Sequence, residues 1–109
     1  MTEPRETRWW RVARAEDVPE GGVLGVEIER FPVALFKMDG EIHALEDVCT
    51  HAGAKISEGP VAEGKVTCPW HDAVFDIQTG APCGGPAFSP AEVYSVRVTD
   101  GDVWVALPS

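Results

Sequence analysis

Apolar and polar residues along this chain alternate with a period of two, and no segment of ten or more residues carries a clean helical stripe. Trp9 to Val12 reads as a short first strand. Leu24, Val26 and Ile28 alternate with Gly25, Glu27 and Glu29, as in a half-buried strand. Phe31 to Phe36 is apolar throughout, which fits a strand covered on both faces. Asp39-Gly40 follows, and beyond it Ile42 and Ala44 alternate with His43 and Leu45. An Asp-Gly pair between two such segments predicts a hairpin, because glycine accepts the positive φ that tight turns need. The pattern returns near the end, where Tyr94, Val96 and Val98 face one way, Asp100-Gly101 turns the chain, and Val103, Val105 and Leu107 continue. Pro19, Gly21 and Gly22 limit Ala15 to Gly21 to a single helical turn. The reading is an all-β domain.

The middle of the chain breaks this regularity. Between Glu46 and Pro90 lie six of the eleven glycines, five of the nine prolines, all three cysteines and two of the three histidines. Only short strands fit there, Lys65 to Cys68 and Val74 to Ile77, the second followed by a Gln78-Thr79-Gly80 turn. Long loops inside a small domain are uncommon unless something holds them or they carry function. The chain therefore divides into a β base from residues 1–45 and 88–109 and a loop-rich insertion over 46–87, together one domain of 109 residues.

Charge narrows the class of partner. Nine Lys and Arg stand against 18 Asp and Glu, a net charge of −9, which opposes binding to nucleic acid or anionic lipid and favours partners with basic patches. No run of about 18 apolar residues is present, so no membrane span is expected. The segment Met1 to Thr7 is mixed in charge and lacks an apolar signal core, which makes the cytoplasm the expected location. Three cysteines cannot close a disulfide framework.

The candidate chemistry lies in two loops, Cys49-Thr50-His51 and Cys68-Pro69-Trp70-His71, a C-x-H and a C-x-x-H separated by sixteen residues. Each pairs a thiolate donor with an imidazole and sits beside turn-forming residues. Two sulfur and two nitrogen donors suit either tetrahedral zinc or an iron–sulfur centre. Zinc fingers usually group their donors by type. One donor of each type per loop suits a two-iron cluster clamped from opposite sides.

These two loops, the Phe75-Asp76-Ile77-Gln78-Thr79-Gly80 stretch and the Gly84-Gly85-Pro86-Ala87 segment resemble the Rieske family. The resemblance implies an antiparallel β-sandwich base with a cluster-binding insertion, and one 2Fe-2S cluster per chain. It implies that Cys49 and Cys68 bind the inner iron, that His51 and His71 bind the outer iron, and that Pro86 lies in a loop shielding the cluster. The chain departs from Rieske proteins of respiratory complexes in two ways. Neither ligand loop has the extra cysteine of their disulfide, and Asp72-Ala73-Val74 stands where those proteins place a serine that hydrogen-bonds a bridging sulfide. Many soluble relatives have glycine where Asp72 stands. Fewer donors to the sulfides and an added carboxylate both imply a potential near the low end of the Rieske range, about −150 mV.

Outside the ligand set, Cys83 reads as a small buried apolar side chain, and His43 as a solvated strand histidine. Trp9, Trp10 and Trp104 read as core or edge packing. Trp70 either faces a redox partner or packs its own loop. Nothing supplies a nucleophile or general base, and 109 residues leave no room for the catalytic domain of a Rieske oxygenase. By resemblance the expected function is that of a monomeric soluble one-electron carrier, not an enzyme, between a flavin-dependent NAD(P)H reductase and a terminal oxygenase. The alternatives are the small Rieske-type subunit of an assimilatory nitrite reductase and a structural zinc module.

Overall fold

The computed structural model describes residues 7–48, 54–69, 73–84 and 90–108. Its strands are β1 (Thr7–Arg14), β2 (Val23–Ile28), β3 (Phe31–Met38), β4 (Glu41–Glu46), β5 (Val61–Ala62), β6 (Lys65–Thr67), β7 (Val74–Asp76), β8 (Pro82–Gly84), β9 (Val93–Tyr94), β10 (Val96–Thr99) and β11 (Asp102–Pro108). Two single 3-10 turns, Ala15–Asp17 and Ile56–Glu58, complete the regular structure among the described residues. No helix there is long and apolar enough to cross a membrane. The all-β expectation holds.

Among the described residues the strands form three antiparallel sheets, in the orders β1-β11-β10, β2-β3-β4-β9 and β5-β6-β7-β8. The second sheet is the middle layer. On one of its faces Leu24, Val26, Val33, Leu35, Ala44 and Tyr94 pack with Val103, Val105 and Leu107 of β11. On the other, Ala34, Phe36 and Leu45 pack with Val66 and Phe75 of the third sheet and with Ile77, just beyond β7. Strand β3 explains its own apolar run. Alternate side chains enter different cores, so Val33, Ala34, Leu35 and Phe36 are all fully buried. Burying Val33, Leu35 and Phe36 contributes about 1.5–3 kcal/mol of transfer free energy each, and Ala34 less.

Tight hairpins set the register. At Asp39-Gly40 and Asp100-Gly101 both residues have positive φ, from 53° to 80°, and Met38 pairs with Glu41 and Thr99 with Asp102 across them. These are the two-residue turns whose twist matches that of the strands they join. Glu63-Gly64, between β5 and β6, has the same geometry and was not anticipated.

Three expectations need correction. The first strand runs over Thr7–Arg14 rather than Trp9 to Val12, since it pairs along nearly the whole of β11 with a register shift between Arg11 and Ala13. Its arginines had hidden its length. Tyr94, Val96 and Val98 do not share one strand: β9 pairs with β4 and β10 pairs with β11. The chain changes sheets at Ser95, leaving Val98 exposed. Cys83 is exposed rather than buried, because among the described residues β8 is an edge strand bonded only to β7; its thiol donates to the Ala81 carbonyl at 3.5 Å.

Candidate metal centre

The two donor-bearing loops leave the ends of strands. The first follows β4, and the second joins β6 to β7. Of the four predicted ligands, Cys68 is described; Cys49, His51 and His71 lie outside the described residues, as do Trp70, Asp72 and Pro86. Cys68 follows β6 directly and is fully buried. Its N–H donates to the Ala73 carbonyl at 2.6 Å, closing the backbone across the second loop just beyond the last β6–β7 pair, Thr67 and Val74.

Packing puts described residues that border the two loops in one core. Ala54, where the described chain resumes after the first loop, shares a buried cluster with Cys68 and Ala73, the two ends of the second. Ile56, Val66, Phe75 and Ile77 complete its apolar surroundings. A thiolate ligand held here is shielded from water on the protein side, so the environment fits a soft, sulfur-ligated metal group. Among the described residues no group of three or more His, Cys, Asp and Glu side chains is placed to hold a metal ion.

Asp47, two residues before Cys49, was not singled out by the sequence. It is the buried charged side chain among the described residues, 2% exposed. Its carboxyl accepts the Ser57 N–H at 2.7 Å and the Ser57 hydroxyl at 2.6 Å. An aspartate in a chain with 18 acidic residues carries no distinguishing pattern; the available signal was its place just ahead of the first donor. His43 is half-buried instead of solvated. Across the β3–β4 pair it lies opposite Phe36, on the face turned to the third sheet. Its Nε2 is 3.6 Å from Glu41 Oε1 and has no hydrogen-bond partner among the described residues. Trp9 is partly exposed with the Arg97 guanidinium 4.4 Å from its ring centre, and Trp10 packs on the base core, both in keeping with edge or core packing.

The family described as the Rieske [2Fe-2S] domain matches residues 8–98. The chain belongs to the Rieske [2Fe-2S] family. Membership decides between the metals that the donor set left open, in favour of one Rieske 2Fe-2S cluster. Over 109 aligned residues this Rieske chain is 38% identical to the anthranilate 1,2-dioxygenase ferredoxin subunit of Burkholderia cepacia, covering 96% of this chain and 97% of that one. Its fold is similar to a chain in the complex of reduced oxygenase and oxidized ferredoxin in carbazole 1,9a-dioxygenase, with a TM-score of 0.84 and 34% identity over 90% of this chain and 92% of that one. It is also similar to a putative NADH-dependent nitrite reductase small subunit from Mycobacterium tuberculosis, with a TM-score of 0.82 and 28% identity over 95% and 98% of the two chains.

Proposed function

We propose that this chain is the ferredoxin component of a ring-hydroxylating dioxygenase system, a cytoplasmic carrier that takes single electrons from a flavin-dependent NAD(P)H reductase and delivers them to a terminal oxygenase. The observation that carries the proposal is that Ala54, Cys68 and Ala73, which border the two donor-bearing stretches, share one buried cluster, and this supports a common site for both. Near full-length likeness to a dioxygenase ferredoxin subunit supports the role. In this reading Cys49 and Cys68 hold one iron while His51 and His71 hold the other, and residues 46–87 form the cluster-binding part on a base of 1–45 and 88–109.

When bound, a Rieske cluster supplies a centre that gains and loses one electron. The chain's own residues do the rest. Cys68 and its apolar neighbours keep water from the inner side. The Cys68 to Ala73 hydrogen bond ties together the two ends of the span that contains His71. The acidic surplus favours brief docking on basic surfaces, as a carrier serving two partners needs.

The likeness to a nitrite reductase small subunit favours a second reading, a subunit that stays bound to its enzyme. The complete set of four donors favours the free carrier. Metal analysis should find iron and acid-labile sulfide in equal amounts. The dithionite-reduced protein should give an electron paramagnetic resonance (EPR) signal with the lowered average g of a mixed Cys/His diiron site. A silent sample that contains iron, or a cysteine-only signal, counts against the ligand assignment. Co-elution with the terminal oxygenase as a stable complex in gel filtration would favour the bound subunit over the shuttle.

A further inference from the structure

We infer that Asp47 is a positioning residue for the metal centre: by holding Ser57, its carboxyl fixes the first donor loop against the second. The inference rests on the assignment of Cys49, His51, Cys68 and His71 as ligands.

The contacts form one continuous path between the loops. Asp47 is anchored through its own N–H to the Pro32 carbonyl at 2.9 Å, at the start of β3. Both of its carboxyl oxygens are used on a residue ten positions later, Oδ1 by the Ser57 N–H and Oδ2 by the Ser57 hydroxyl. The stretch between these two residues is the first donor loop, so the pair closes its mouth. Gly25 of β2 lies directly beneath. A Cβ there would stand 2.8 Å from Ser57 Oγ and 3.2 Å from Asp47 Oδ2, so the clamp occupies the space that a side chain would take.

Beyond Ser57 the path continues to the second loop. The 3-10 turn Ile56–Glu58 plugs Ile56 into the core that holds Cys68. Gly59 then lies so close to the Thr67 carbonyl that any Cβ would collide with it, and the Thr67 N–H donates to the Pro60 carbonyl at 3.0 Å. Thr67 is the residue before Cys68. A shift of Ser57 therefore changes the placement of the first donor pair relative to the second. Burial strengthens the argument, since at 2% exposure the Asp47 carboxyl is withdrawn from bulk water, where its two hydrogen bonds to Ser57 are worth more than at the surface.

The chemistry of Asp47 allows positioning to be separated from charge. In Asp47→Asn the amide oxygen can accept the Ser57 N–H while its NH2 donates to the serine hydroxyl, so the clamp survives without a carboxylate. In Asp47→Ala both bonds are lost. In Ser57→Ala the hydroxyl bond alone is lost, a milder change that remains informative if Asp47→Ala fails to fold. Val105→Ala, in the other core, is the control for general destabilisation.

The test uses the iron-loaded chain, with the EPR spectrum of the reduced protein, the reduction potential and the rate of cluster loss to a chelator as readouts. Asp47→Ala should shift or broaden the signal and release iron about tenfold faster or more, the scale of loss seen when support of metal ligands is removed. Ser57→Ala should move the same way by less. Asp47→Asn should restore the wild-type spectrum and most of the retention, and Val105→Ala should lower the melting temperature with an unchanged spectrum. An Asp47→Ala protein with wild-type spectrum and retention overturns the inference. So does an Asp47→Asn protein whose spectrum and potential change as much as those of Asp47→Ala, since that assigns the effect to charge. Failure of the wild-type chain to take up iron and sulfide overturns the ligand assignment beneath it, a result distinct from the other two.

Discussion

Asp102 begins β11, and one of its oxygens accepts hydrogen bonds from Arg11 Nε at 2.9 Å and Arg14 Nη1 at 3.0 Å, both on β1. The bond from Arg11 is the main reason its carboxyl is held below the usual carboxylate range; a smaller opposing effect of burial is outweighed once the Arg14 bond and the two positive charges are added. A carboxyl whose folded-state pKa is depressed stabilises the fold at pH above the ordinary carboxylate value, and that contribution is lost as pH falls through the lowered one. Asp102→Asn should therefore be less stable than the wild type near neutral pH, with the difference shrinking in strong acid. Urea midpoints compared at about pH 7 and about pH 2.5 test this, and a difference independent of pH would assign the effect to packing. The size will be small, as these groups are solvent-screened. The other residue-scale expectation concerns potential. With no second cysteine in either donor loop and no serine at 72–74, voltammetry should place the midpoint toward the low end of the Rieske range, about −150 mV. A clearly positive value contradicts the account.

At the scale of elements, β3 carries most of the stability argument. Leu35→Ala removes a fully buried side chain from the core shared with β11 and should cost about 2–5 kcal/mol in chemical denaturation. A loss below about 0.5 kcal/mol, the size of an ordinary surface change, would mean that this core is not packed as described. Strands of this kind were legible in the sequence because period-two alternation and an Asp-Gly turn are local signals. Glu63-Gly64 escaped notice because β5 is two residues long and shows no alternation. The break at Ser95 escaped because periodicity records which face a residue occupies, not which strand it bonds to. Exposure of Cys83 follows from an edge position that only the assembled sheet defines. The candidate site divides the same way. Donor types and spacing marked the four proposed ligands, while the Asp47 and Ser57 clamp depends on burial and on a glycine in another strand, neither of which leaves a motif.

At the scale of the whole molecule, charge is sorted by layer. Strands β1 and β10 of one outer sheet carry Arg8, Arg11, Arg14 and Arg97, four of the nine basic residues. A cleft of about 610 Å³, between the turns of the middle sheet and those of the other outer sheet, is lined by Glu20, Asp39, Glu41, Glu63 and Asp76 with no basic side chain. Such separation orients an approaching basic partner and makes encounter sensitive to salt. Raising ionic strength from about 0.02 to about 0.5 M should slow electron exchange with the reductase proposed as its donor several-fold, as the screening length falls from roughly 20 to 4 Å. Stopped-flow rates that do not vary with salt would remove the steering role from the acidic surplus. Strand β3 has one more consequence. Its backbone is bonded to a neighbour on each side, and its side chains wall two interiors at once. The amide protons of residues 33–36 therefore have no local route to deuterated solvent, and their exchange reports only opening of the entire domain. Mass spectrometry of that one segment becomes a gauge of global stability, readable in the same sample with and without iron.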